Sequence, residues 1–492
     1  MSIENPITSV DNEPATSVAG RLTGHLGTGS VIFMVVAAAA PLTVIAGTVP
    51  IGIAVGDGAA FPAMYVICAV ILLLFATGFM AMTRHIPQAG GFYAYVGHGL
   101  GRSAGLGAAF LAVLSYTAVL VAVYGYIGSA LNALISSHGG PPFPWWGYTS
   151  VILVFTAVLG YRHIDLSSKV LGVLLIAEVA IVIIVDAFVV GHNGSGHGMS
   201  TAALHPAAIA SGAPGIALIF ALAGFLGFEA TAVYRDEARD PERTIPRATY
   251  GALILIGVFY AISSWSVISA WGDSGSVQEA TTNPGGMLAA TAQRVIGGAG
   301  ADIVQVLLVS SLFAAVLSFH NVTARYLFAL GNTGVLPSAW GRSHHKHASP
   351  YAASVAVTVL AGLILVICIA AGLDPVTEVF TWFAGIATLG VVALMLFTCL
   401  AVLVFFRRTR LDTRTWNTII APGIGLVALA ACFVLTVANL PLLVGGSTTL
   451  AAIFAGGLAA SLLAGPVVAR LRPNAHAISQ TVFDAQKLDE LL

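Results

Sequence analysis

Apolar residues in this chain come in runs too long and too uniform for a soluble fold. A helix needs about 20 mainly apolar residues to cross the hydrocarbon core of a bilayer, and no fewer than about 17. Twelve stretches meet that length, at about 30–55, 61–83, 103–135, 146–162, 168–190, 213–234, 248–271, 301–331, 351–372, 376–406, 417–439 and 447–469. The third, eighth and tenth are long enough to imply tilt or an interfacial extension. Two stretches break where a membrane helix should be smooth. The first carries Pro41, Gly47 and Pro50 inside its apolar run, and the sixth carries Gly224, Gly227 and Glu229. Backbone N–H and C=O groups find no water in the bilayer core, so an interrupted helix is tolerated only when buried in protein or lining a wet cavity. The pattern predicts an all-α polytopic membrane protein of twelve transmembrane helices with matched breaks in the first and sixth.

Composition agrees. Hydrophobic residues make up 58% of the 492 and charged ones only 8%, with mean hydropathy +0.92, whereas soluble domains are about a quarter charged. A net charge of −1 leaves no electrostatic case for a nucleic-acid partner; the surroundings implied are a lipid bilayer. Of the 20 Lys and Arg residues, only Arg294 falls in an outer connection if the N-terminus is inside. The positive-inside rule then places both tails in the cytoplasm. Residues 1–20 lack the apolar run of a secretory signal. The four cysteines lie in apolar stretches and read as small hydrophobes, without the spacing of a metal site.

Three motifs resemble the amino acid–polyamine–organocation transporter family. The first is Phe225-Leu226-Gly227-Phe228-Glu229 followed by Asp236-Glu237-Ala238-Arg239-Asp240-Pro241, then Ile245-Pro246-Arg247-Ala248. The second is Pro87-Gln88-Ala89-Gly90-Gly91-Phe92-Tyr93-Ala94-Tyr95. The third, Gly331-Asn332-Thr333-Gly334-Val335-Leu336-Pro337, keeps the family's Gly and Leu-Pro but lacks its Arg-Asp. The resemblance implies a five-plus-five inverted repeat of the leucine-transporter type. The two repeats would occupy 30–190 and 213–406, with peripheral helices at 417–469 and cytoplasmic tails at 1–29 and 470–492. It also implies a plasma-membrane permease for amino acids, polyamines or related amines, driven by protons, sodium or exchange, with no cofactor and no enzymatic step.

The residues at the breaks suit such a cargo. A half-helix N-terminus offers free N–H groups and a positive dipole end to a carboxylate, and Ala40, Pro41, Leu42, Thr43 and Val44 supply one. Unwound carbonyls suit an ammonium, and Ala223, Gly224, Phe225 and Leu226 supply those, with the Phe225 ring as a gate. By resemblance Ser115 and Tyr116 line the pocket, with Trp382 a weaker candidate.

A carboxylate at mid-membrane costs about 2.5–3.5 kcal/mol unless neutralised or paired, which makes Glu229 a candidate proton-linked switch. Glu178 stands where many proton-coupled family members have a Lys. It can carry a proton, or bind a cation together with Ser311 and Ser318, which share a helix face. Asp186, further along the fifth stretch, reads as interfacial. Asp236 or Glu237 is expected to pair with Arg84 as an inner gate. A channel would need a ring of like charges along a continuous pore, and an enzyme a clustered catalytic set; the sequence offers neither.

Overall fold

The computed structural model describes residues 27–86, 91–141, 143–162, 168–196, 198–229, 231, 238–342 and 350–472. The first apolar stretch folds as two pieces, α1 (Thr28–Ala38) and α2 (Pro41–Ala60). Then come α3 (Pro62–Thr83), α4 (Phe92–Leu100), α5 (Arg102–Ser137), α6 (Trp145–Arg162) and α7 (Ser168–Gly191). The second half opens with α8 (Pro214–Ala223) and continues with α9 (Pro241–Trp271). The shorter α10 (Asp273–Thr282) and α11 (Met287–Ile296) lead into α12 (Gly298–Asn332) and α13 (Tyr351–Ala370). The last three are α14 (Pro375–Thr409), α15 (Trp416–Ala438) and α16 (Thr448–Leu471). Among the described residues ten helices are long and apolar enough to cross a membrane, and α1, α6 and α8 are shorter apolar helices. The apolar pattern predicts nothing between 271 and 301, where the structure has α10 and α11. Their polar faces hide them from a hydropathy reading.

The chain is a multi-pass membrane protein, and burial sorts its helices. Of α5's apolar stretch 83% is buried, against 17% for α16. The first is the axis of the bundle and the second lies at its rim. Outward-facing Val151, Ile176, Val366, Val427, Ile453 and Leu463 are each more than 60% exposed, an apolar belt that hydrocarbon would cover. Lipid tails are as apolar as Leu, so close packing of small residues has to hold helices together. A Cβ on Gly465 of α16 would lie 2.2 Å from the Gly107 nitrogen of α5. That contact exists only because both residues are glycine.

Candidate functional site

The break in the first span follows from one residue. Pro41 has no N–H to continue the helix, and its ring drives the preceding residue out of the right-handed helical region. Ala40 leaves the helix at φ +46°, ψ +68°, a left-handed conformation costing about 1–2 kcal/mol for a non-glycine residue. The chain restarts at once: Pro41 opens α2, and Val44 N–H donates to the Ala40 carbonyl at 3.2 Å. In the second half α8 ends at Ala223 and the backbone runs through turns to Glu229, with Gly227 at φ +100°.

The two breaks meet at one cavity of about 50 Å³. Of the residues expected there, Ala40, Thr43, Val44, Ala223 and Leu226 line it. The remaining wall comes from Ala39 at the first break, Thr48 of α2, Val119 and Val123 of α5, Ala315 and Phe319 of α12, and Phe380, Ala384 and Thr388 of α14. About 50 Å³ holds only a few water molecules, so a solute the size of an amino acid enters only if the walls move. Tyr116 and Tyr126 lie on α5 either side of Val119 and Val123, about 15 Å apart at 1.5 Å per residue.

On one side of the cavity the Tyr126 hydroxyl donates to the Ala46 carbonyl at 2.8 Å and reaches the Gly285 carbonyl at 3.2 Å. It thereby ties α2 to the segment before α11. The Tyr126 ring packs 5.1 Å from that of Phe380. Both rings sit over Gly47, where a Cβ would come within 2.9 Å of each. On the other side Tyr116 Oη donates to Glu229 Oε1 at 2.6 Å, while the Gly227 N–H donates to Oε2 at 3.0 Å. The broken helix thus supplies one donor that holds its own acid. Tyr116 also stacks 6.4 Å from Phe319, a wall residue.

A second carboxyl approaches through α7. Glu178, only 5% exposed, accepts from Ser311 Oγ at 2.9 Å, and Ser311 accepts from Thr43 Oγ1 at 3.1 Å. The Glu178 carboxyl thereby reaches Thr43, in the first turn of the half-helix, through Ser311. Pro41 and Leu42 are buried behind the wall rather than on it. Ser318, two turns from Ser311, is half-buried and outside this chain of hydrogen bonds.

Other expected residues lie away from the hollow. Phe225 is 1% exposed and packs 6.3 Å from both Tyr65 and Tyr260, toward α3 and α9. Aromatic walls come instead from Phe319 and Phe380. Gly224 lies where a Cβ would meet Val44 and the Tyr260 ring. Ser115 donates to its own Leu111 carbonyl at 2.8 Å and packs under Gly390. Trp382 is buried near Gly445, at the connection before α16. Arg84 donates to the Glu242 carbonyl at 3.4 Å, whereas Asp236 and Glu237 lie outside the described residues.

Asp186 is buried against protein, 9% exposed, and accepts from Ser263 of α9 at 2.7 Å. The run of Ser263, Ser264 and Ser266 in an apolar helix was the available signal. Two further buried polar groups went unread. Asp57 near the end of α2 has no hydrogen-bond partner on either carboxyl oxygen among the described residues. His320 of α12 pairs its Nε2 with Ser354 Oγ at 2.8 Å beneath Gly160.

Paired helix breaks around a shared hollow, in a bundle of membrane-length helices, define a polytopic membrane protein with an internal cavity. The sequence profile of the amino acid permease family matches residues 26–459. The chain belongs to that family. Over 311 residues it is 26% identical to an uncharacterized transporter of Rhizobium meliloti, covering 62% of this chain and 64% of the relative. The low-affinity putrescine importer PlaP of Escherichia coli is 22% identical over 300 residues, covering 59% and 63%. The serine/threonine exchanger SteT of Bacillus subtilis is 23% identical over 355 residues, covering 71% and 75%. The chain thus spans less than two thirds of the length of the first two.

Proposed function

We propose that the protein is a secondary active transporter that carries amino acids across the plasma membrane by alternating access, coupled to protons. The observation that carries this reading is the small cavity shared by two helix breaks, in a chain of the amino acid permease family. On this reading α1 and α2 make one span, and α6 and α8 belong to two more beside the other helices of membrane length among the described residues, for twelve in all. Spans one to five and six to ten form the two inverted repeats, with α15 and α16 peripheral and both tails cytoplasmic. Tyr126 with Phe380 then closes the outer side, and Tyr116 with Glu229 the inner. Glu229 and Glu178 carry the coupling proton. Arg84 pairs with Asp236 or Glu237 when the inner side shuts.

A second reading, import of a polyamine such as putrescine, is favoured by one observation. Asp57, Glu178 and Asp186 are all buried, and no Lys or Arg is buried with them among the described residues. The putrescine importer among the relatives is consistent with this. Uptake of labelled amino acids and diamines into proteoliposomes, with imposed proton or sodium gradients, separates the readings. Accumulation driven by a proton gradient is the expected result. Accumulation driven by sodium alone would remove the proton assignment, and no uptake of either class would remove the transport reading.

A further inference from the structure

A second hollow lies past Tyr126, and at about 210 Å³ it is about four times the size of the cavity at the breaks. At about 10–15 Å³ for each water it has room for on the order of fifteen. A solute of amino acid size therefore enters it without the walls moving. The lining of two helices fixes where it sits. On α5, Val119 and Val123 line the first cavity, Tyr126 follows, and Ala130 and Ala133 line the second. Steps of three and four residues keep all five on one helix face. On α12, Phe319 and Ala315 line the first, and Leu308, Gln305 and Ala301 the second. Val123 and Ala130 are about 10 Å apart at 1.5 Å per residue. Gly285 lines the second hollow, and its carbonyl takes the longer of the two Tyr126 hydrogen bonds, 3.2 Å against 2.8 Å. The two hollows are consecutive chambers along one face, with the Tyr126 hydroxyl between them.

The second chamber is walled by amides. Asn283, Gln293 and Gln305 line it, and among the described residues no ionisable side chain does. An amide side chain offers both donors and an acceptor. Asn283 Nδ2 donates to Glu279 Oε1 at 2.8 Å, which leaves the Asn283 carbonyl oxygen as an acceptor. The Gly285 carbonyl has a second lone pair. The first turn of α11 passes along the wall at Gly286 and Ala289, and the leading N–H groups of a helix have no carbonyl of their own helix to bond. Neighbouring charges are engaged away from the wall: Asp302 lies 3.7 Å from His138, and Arg294 stacks 5.0 Å over Trp271.

We infer that this chamber is a second solute site, which binds the zwitterionic end of an amino acid before the Tyr126 link opens and turns diamines away. The inference deepens the transport reading and rests on it for the side from which cargo arrives. A zwitterion has no net charge and needs no counter-ion in the wall. Its ammonium finds the Asn283 and Gly285 carbonyls, and its carboxylate finds amide and backbone N–H donors. A diamine brings donors at both ends and no acceptor. One of its ammoniums would face N–H groups, with no carboxylate in the chamber to offset the charge.

The test uses the full chain in proteoliposomes, with Ala290→Cys as a reporter on the chamber wall. The four native cysteines are buried, so a membrane-impermeant maleimide added outside reads occupancy as slower modification. The probes are the common L-amino acids, one at a time, and 1,4-diaminobutane. At least one amino acid should slow modification about tenfold at ten times its half-protecting concentration, where diaminobutane at the same concentration does not. Gln305→Leu keeps the bulk and removes the amide. It should raise the protecting concentration about tenfold, the loss of a hydrogen bond to a charged group. Gln305→Glu should turn the preference toward diaminobutane, which a merely structural Gln305 would not do. Ala384→Phe fills the first cavity and should leave protection within about twofold, as expected of separate sites. Should one variant not fold, the others still decide. Protection by no amino acid, equal protection by diaminobutane, or modification only from inside would overturn the inference. So would protection that survives Gln305→Leu unchanged or disappears with Ala384→Phe. Uptake by the wild-type protein is scored separately. Uptake without protection sinks only this inference, and protection without uptake sinks only the transport reading.

Discussion

Removing the hydroxyl of Tyr126 isolates one term in the closure of the cavity. Tyr126→Phe keeps the ring against Phe380 and over Gly47 but cuts the link from α5 to the Ala46 and Gly285 carbonyls. One O–H is shared between two acceptors, so the loss is that of a single neutral hydrogen bond, about 1 kcal/mol. If the link exists only in the closed form, the closed-to-open ratio falls about fivefold. Thr388→Cys places a reporter on the cavity wall, in a chain whose four native cysteines are all buried. A membrane-impermeant thiol reagent added outside should then modify Cys-bearing protein about fivefold faster when Tyr126→Phe is also present. Equal rates in a variant that unfolds at the wild-type temperature would refute the claim that this hydroxyl holds the outer side shut. A faster rate with reagent confined to the inside would place the contact on the wrong face.

Among the described residues, Tyr116→Phe leaves Glu229 with the Gly227 N–H as its remaining partner. The loss of a charge-assisted bond, about 1.5–3 kcal/mol, should slow proton-driven uptake about tenfold or more; an unchanged rate would detach Tyr116 from coupling. Glu229→Gln should abolish accumulation against a gradient while leaving membrane insertion intact, and full accumulation would end its role as proton carrier. Gly47→Val would drive methyl groups into the Tyr126 and Phe380 rings; overpacking costs about 1–3 kcal/mol, visible as a lower unfolding temperature in detergent. Gly465→Leu meets backbone rather than flexible side chain at Gly107. It should lower the unfolding temperature by at least as much, and no change would mean that the α5–α16 contact contributes nothing.

The breaks were legible from sequence because they break rules the bilayer enforces locally. A proline and its predecessor decide the end of α1 through φ restriction and a missing N–H. An acid in an apolar run has to find donors, as Glu229 does at Gly227 within its own broken helix. The run of apolar residues sets helix length in the same local way. Which way each helix faces is another matter. In water a helix reveals its inner face by polarity, but here lipid and interior are equally apolar. Val119 and Tyr116, or Phe225 and Phe319, look alike until their neighbours are known. The rotation of α5 puts Val119 and Val123 on the wall and Ser115 under Gly390, and the turn after α8 aims Phe225 at Tyr65 and Tyr260. Contacts across hundreds of residues made the rest. Thr43 meets Ser311 and Ser311 meets Glu178 only once three separate helices pack, and Asp186 is buried because Ser263 lies opposite. Local backbone chemistry settled where this chain must bend, and packing alone settled what faces the hollow.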